Sequence, residues 1–187
     1  MAAMSRLDTE ELVHTYIKND RMLNHCYATE AVMRSLAIRL GRDEEQWARA
    51  GLLHDLDVEL TNGDLTIHGR ETERILREQR VDEESIDAIV MHNEVVTQKK
   101  RATEFQHALA AGETLTGMIV ATALVYPDKK LASVKAKSVT KRMKEKAFAA
   151  SVNRDIILEC EKIGIPLDEF VELGLQAMRG IADRLGL

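Results

Sequence analysis

Three side chains in this 187-residue chain fall where polar groups are costly. His25, His54 and Glu113 each lie on a stripe of apolar residues recurring at three-to-four spacing, so each faces a helical core. An ionised carboxylate or an unpaired imidazole taken out of water loses its hydration and needs a partner that replaces it. A shared divalent ion meets that need. First-row metals accept imidazole nitrogen and carboxylate oxygen at about 2.0–2.2 Å, and facing helices deliver such ligands from distant positions. Neighbours on a helix point about 100° apart, so Asp55 can serve the same ion as His54 only near a helix end. The break after Asp55-Leu56-Asp57 provides one.

A second constellation is the basic run Lys129, Lys130, Lys135, Lys137, Lys141, Arg142, Lys144 and Lys146, set in a chain of net charge −5. Such a run is ordinarily a solvated helix face. Beside a metal site it would instead attract phosphate and steady transition-state charge, which makes Lys137, Lys141 and Arg142 the candidates for phosphate binding. Asp57 and Glu59, close to the His-Asp pair, are candidates for proton handling. His14 and His107 match no ligand position and read as surface or packing residues.

The elements that must position these groups are helical. A helix over 20–40 carries Met22, His25, Thr29, Val32, Leu36 and Leu40 on one face and stops at Gly41. A shorter one from Asp43 runs through Trp47, Ala50, Leu53 and His54 and ends in the polar stretch Thr61-Asn62-Gly63-Asp64. Helices over 67–79 and 82–92 place His68 at the start of one and His92 at the end of the other. Leu109, Glu113, Thr116, Val120 and Leu124 share a face of a helix over 105–125. Two last helices, 153–163 and 167–185, flank Gly164-Ile165-Pro166, and Phe170, Val171, Gly174, Leu175, Met178, Ile181 and Leu185 form the buried face of the second.

In order, His25, His54-Asp55, His68, His92 and Glu113 resemble the HD superfamily of metal-dependent phosphohydrolases. Its pattern is a histidine, then His-Asp, then further histidines, then a late acid. The resemblance spans roughly Leu23 to Val125. It implies an all-α fold, a single HD-type helical bundle over 1–187 with the metal core at about 20–125 and helices over 126–187 completing it. It implies that His25, His54, Asp55 and Glu113 hold one ion, and that Asp55, His68 and His92 hold a second, bridged by Asp55. One or two divalent transition metals (Mn, Fe, Co, Ni or Zn) are the cofactors. The implied activity is hydrolysis of a phosphate ester in a small molecule, a nucleotide, by a metal-activated hydroxide that Asp55 helps to orient. Such domains often pair, so a homodimer is also expected. The chain departs from the pattern at two places. Glu113 stands where the late acid is commonly Asp, and Leu-Asp-Val follows the His-Asp pair, so no subfamily's substrate residue carries over.

Two other functions fit the same ligands: a di-iron oxygenase, because some relatives with the extended histidine pattern cleave carbon bonds with oxygen, and a metal-stabilised binding or regulatory module without activity. Composition narrows the field further. Scarce aromatics and abundant Ala, Leu, Glu, Lys and Arg favour helices. The acidic balance argues against a nucleic-acid polymer as partner. No apolar run reaches about eighteen residues and charges appear early at the N-terminus, so the expectation is a soluble cytoplasmic protein without membrane contact. Cys26 and Cys160 form no recurring spacing and read as reduced, small hydrophobes.

Overall fold

The computed structural model describes residues 4–187. Among them are eleven α-helices and no strand. In chain order these are α1 (Arg6–Tyr16), α2 (Asp20–Leu40), α3 (Glu44–Leu53), α4 (Arg70–Glu78), α5 (Glu83–Met91), α6 (Glu94–Thr97), α7 (Glu104–Leu124), α8 (Ala136–Arg142), α9 (Arg154–Ile157), α10 (Leu167–Arg179) and α11 (Ala182–Leu185), with short 3₁₀ helices at Leu131–Ser133 and Leu158–Ile163. One hydrophobic cluster runs through them from Val13 to Leu185.

Most of the helices begin at residues chosen for the task. Asn19, Asp43, Asp82 and Thr103 turn a side-chain oxygen onto the first free amides of α2, α3, α5 and α7. At α7 the side chain of Gln106 reaches back to the amide of Thr103, completing a capping box. The long pair α2 and α7 forms the frame. α3 lies chiefly against α2, while α10 covers both long helices from the other side. Trp47 of α3 stacks flat on Phe105 of α7, ring centroids 4.7 Å apart, which ties the third helix to the frame.

Among the glycines, the closest approach to the backbone of another helix is at Gly51. A Cβ there would lie 2.8 Å from the carbonyl oxygen of Thr29 and 3.0 Å from the amide nitrogen of Glu30, both backbone atoms that cannot swing aside. The glycine therefore lets α3 press onto α2, and these two helices carry His54 and His25. Gly51→Ala is expected to force them apart at a cost of about 1–3 kcal/mol. At about 2–4 °C per kcal/mol for a chain of this size, the unfolding midpoint should fall by several degrees. An unchanged midpoint in calorimetry would show that the helices are free to separate.

The sequence expectation for 20–40 coincides with α2. Two others are corrected. The stretch 153–163 is one turn of α-helix followed by a 3₁₀ helix. The expected helix over 167–185 breaks after Arg179, at Gly180, a weak helix former. The Arg179 side chain there donates to the carbonyls of Leu131 and Val134, anchoring the break to the turn that precedes α8.

Candidate metal centre

Between α3 and α4 the chain makes tight turns, and their two ends bring the imidazoles of His54 and His68 to opposite sides of Asp55. His54 caps the C-terminus of α3, His92 caps α5, His25 projects from the first half of α2, and Glu113 from the middle of α7. Five elements thus converge on one carboxylate. Asp55 divides its oxygens between two pairs. Oδ2 stands 3.4 Å from His54 Nε2 and 3.6 Å from His25 Nε2. Oδ1 stands 3.1 Å from His68 Nε2 and 3.6 Å from His92 Nε2. Within each pair the imidazole nitrogens face one another, 3.1 Å apart for His25 and His54 and 3.0 Å for His68 and His92. Glu113 Oε2 lies 3.8 Å from His25 Nε2.

The far side of each ring explains why Nε2 points inward. A carbonyl oxygen or a carboxylate can only accept, so a ring nitrogen in contact with one must carry the proton. His54 Nδ1 donates to Gly51 O at 2.8 Å, and His92 Nδ1 donates to Ile89 O. His68 Nδ1 donates to Asp57 Oδ1 at 2.7 Å. Thr116 spends its hydroxyl proton on the carbonyl of Glu113, so its oxygen accepts from His25 Nδ1 at 3.0 Å. Four rings are therefore held by Nδ1–H with four Nε2 atoms turned toward Asp55, the way a hydrogen bond on the far nitrogen fixes the tautomer and orientation of a metal-binding histidine. Two nitrogens each about 2.1 Å from one ion and at a right angle to it stand about 3.0 Å apart, which is the spacing within each pair. The donor set fits two divalent ions: His25, His54 and Asp55 on one side and Asp55, His68 and His92 on the other.

The electrostatics follow the burial. Burial opposes ionisation of Asp55, but His54, His68, His25 and His92 together hold its carboxyl well below the usual range. Desolvation lowers His25 and His92, whereas for His68 the hydrogen bonds to Asp55 and Asp57 outweigh burial and raise it. Glu113, buried and near Asp55, is pushed up to about 8.

The site opens on a cleft of about 520 Å³ lined by Asp55, His68, His92 and Glu113 at its base. Lys137, Lys141 and Arg142 do not line it. The three lie on α8, within a basic run that begins ahead of that helix and continues past it, and Arg142 pairs with Glu145 and covers the ring of Phe148. The cations in the cleft wall are Lys100 and Arg101. Neither proton-handling candidate is free for that work. Asp57 is spent on His68 and backbone amides, and Glu59 accepts from the amides of Lys18 and Asn19 ahead of α2.

Arg101 and Glu159 escaped the sequence reading, which had Thr116 only as a member of the apolar stripe of Glu113. Arg101 is buried; it donates through Nε and Nη2 to both oxygens of Glu159 at 2.8 Å, and through Nη1 to the carbonyls of Met91 and His92. His107 Nδ1 also binds Glu159, at 2.7 Å, so this histidine is a packing residue with a polar duty. The only signal was an acid among apolar neighbours, Ile156-Ile157-Leu158-Glu159-Cys160. Burial works against ionisation of Glu159, but Arg101 and His107 overcome it and bring its carboxyl down to about 2. A carboxyl depressed in the folded state contributes stability above its unfolded value, and that contribution fades as pH falls through the folded value. Glu159→Gln is accordingly expected to unfold at a lower temperature than the parent at neutral pH, with the gap closing as pH approaches about 2. A gap that does not change with pH would mean the charge of Glu159 is idle.

An all-helical bundle centred on a His-Asp pair with flanking histidines defines the class, and the comparison with known families agrees. Residues 22–123 match the HD domain, more than half of the chain, which therefore belongs to the HD domain family. No curated protein and no solved structure matches the chain significantly. Among the described residues no helix is long and apolar enough to cross a membrane.

Proposed function

We propose that this chain is a metal-dependent phosphohydrolase that cleaves a phosphate ester of a small molecule, a nucleotide being the favoured substrate. The observation that carries this reading is the division of Asp55 between two pairs of inward-turned imidazoles. His25, His54 and Asp55, with Glu113 beside them, would hold one ion; Asp55, His68 and His92 would hold the second. When bound, two such ions acidify water and neutralise the oxygens of a phosphoryl group. The protein's own groups do the rest. Asp55 sets the separation of the two sites, Gly51, Ile89, Asp57 and Thr116 fix the rings, and the cleft has room for an ester beside Asp55, His68 and His92. No serine or cysteine nucleophile is needed, and Cys26 is buried with its thiol raised well above the usual range. The nucleotide part rests on family kinship, not on a contact.

The test is elemental analysis of the purified protein joined to phosphate release from mono-, di- and cyclic nucleotides, with His54→Ala and Asp55→Ala beside the parent. Bound transition metal, phosphate release and loss of both in the variants are expected. Unchanged activity in both variants would remove the metal centre from the reaction, and product formed only with oxygen and without phosphate would point to an oxygenase.

A further inference from the structure

Every cationic group lining the cleft is already engaged, and its free charge is negative. Arg101 gives four of its donors to Glu159, Met91 and His92. Lys100 pairs with Glu94, which also accepts from the Arg101 amide. Asn93 is spent on the carbonyls of Leu65 and His68 and on the amide of Val95. Asn153 and Asp155 also line the cleft. The Asn153 oxygen receives the amides of Asp155 and Ile156, which leaves its amide group facing outward. Among the described residues lining the cleft, the Asp155 carboxylate alone is exposed, charged and without a hydrogen bond or ion pair. Leu65, Val95 and Ile156 supply apolar surface between these groups.

Resting on the reading above, we infer that Asp155 is a specificity-determining residue, and that the cleft takes a monophosphate ester and discriminates against a second phosphate. Two divalent ions set against the carboxylates of Asp55 and Glu113, with that of Asp57 behind His68, leave no more than two positive charges. One phosphate monoester, carrying about two negative charges, cancels them. A further phosphate would extend into a wall whose cations, Lys100 and Arg101, each already face a carboxylate, and would meet Asp155. Discrimination of this kind comes from a repulsive element as much as from an attractive one. The organic part of the substrate instead brings hydroxyl or amino donors to Asp155, an acceptor to the Asn153 amide, and an apolar face to Leu65, Val95 and Ile156.

The metal-saturated protein, its ion content verified, should be titrated calorimetrically with inorganic phosphate and with the non-hydrolysable phosphonate analogues of AMP and ADP. The parent is expected to bind the AMP analogue about tenfold more tightly than the ADP analogue, the scale of one like-charge contact in a wet cleft. The gap should narrow in Asp155→Asn and close or invert in Asp155→Lys, while phosphate binding changes by less than about twofold. An ADP analogue bound as tightly as the AMP analogue by the parent, or a gap untouched in Asp155→Lys, overturns the inference while leaving phosphate binding intact. If inorganic phosphate itself does not bind, the phosphohydrolase reading falls and this inference falls with it.

Discussion

Asp55→Ala is expected to lose both metal ions at once, whereas His25→Ala and His92→Ala should each retain one. The asymmetry follows from where the oxygens lie. Oδ2 of Asp55 faces the His25–His54 pair and Oδ1 faces the His68–His92 pair, so each histidine belongs to one cluster and the aspartate to both. Removing an imidazole leaves the opposite cluster with all three of its groups. Removing the carboxylate takes from both pairs the charge they share and leaves only Glu113, 3.8 Å from His25, beside one of them. Phosphate release should drop at least about 10³-fold in Asp55→Ala, since loss of one donor to developing charge in a water-excluded site already costs about 10²–10³. Metal content per chain after desalting, measured in the three variants together, decides the matter. One ion retained by Asp55→Ala would show that the carboxylate serves a single site and that the two clusters are independent.

The part of this arrangement legible in the sequence is the part with a periodic signature. His25 and Glu113 interrupt apolar stripes of helices whose bounds the periodicity locates closely, and His54-Asp55 sits at a helix end, where neighbouring side chains can serve one centre. His68 and His92 entered through family resemblance, and their Nε2 atoms stand 3.1 and 3.6 Å from Asp55 Oδ1. Two kinds of residue were hidden. Thr116, Arg101 and Glu159 act through contacts between segments far apart in the chain, such as 101 with 159, and nothing local announces such a contact. The run from Lys129 to Lys146 is the converse case: its charge is local and conspicuous, but none of its residues lines the cleft. Charge density in a sequence reports composition along the chain, while the direction of a surface depends on packing that only the fold supplies.

Asp57 shows how a residue can look catalytic in sequence and be structural to the site in space. Its carboxylate is fully buried. It accepts His68 Nδ1–H at 2.7 Å, the amide of Gly69 at 2.8 Å, and those of Glu71 and Thr72 at 3.1 and 3.2 Å. Those amides are the unsatisfied donors at the start of α4, where a negative charge is also favoured by the helix dipole. Gly69 supplies the turn with φ of +104°, open to glycine and costly for other residues. One side chain therefore starts a helix and orients a ring. Asp57→Ala would leave several buried donors unpaired, each worth about 1–3 kcal/mol, so a stability loss of about 3–5 kcal/mol and a midpoint lower by about 10 °C are expected. Asp57→Asn separates the two duties. Its oxygen can still accept from His68 and, at 3.1 Å, from the Gly69 amide, but its amide group cannot accept from Glu71 or Thr72, so stability should fall less than in the alanine variant. The imidazole loses its charged partner, and affinity at the His68–His92 cluster should weaken by about 10–100-fold, with the His25–His54 cluster unaffected. Metal titration of Asp57→Asn showing two sites of parental affinity would mean that His68 is aligned by packing alone, and that Asp57 serves only the helix.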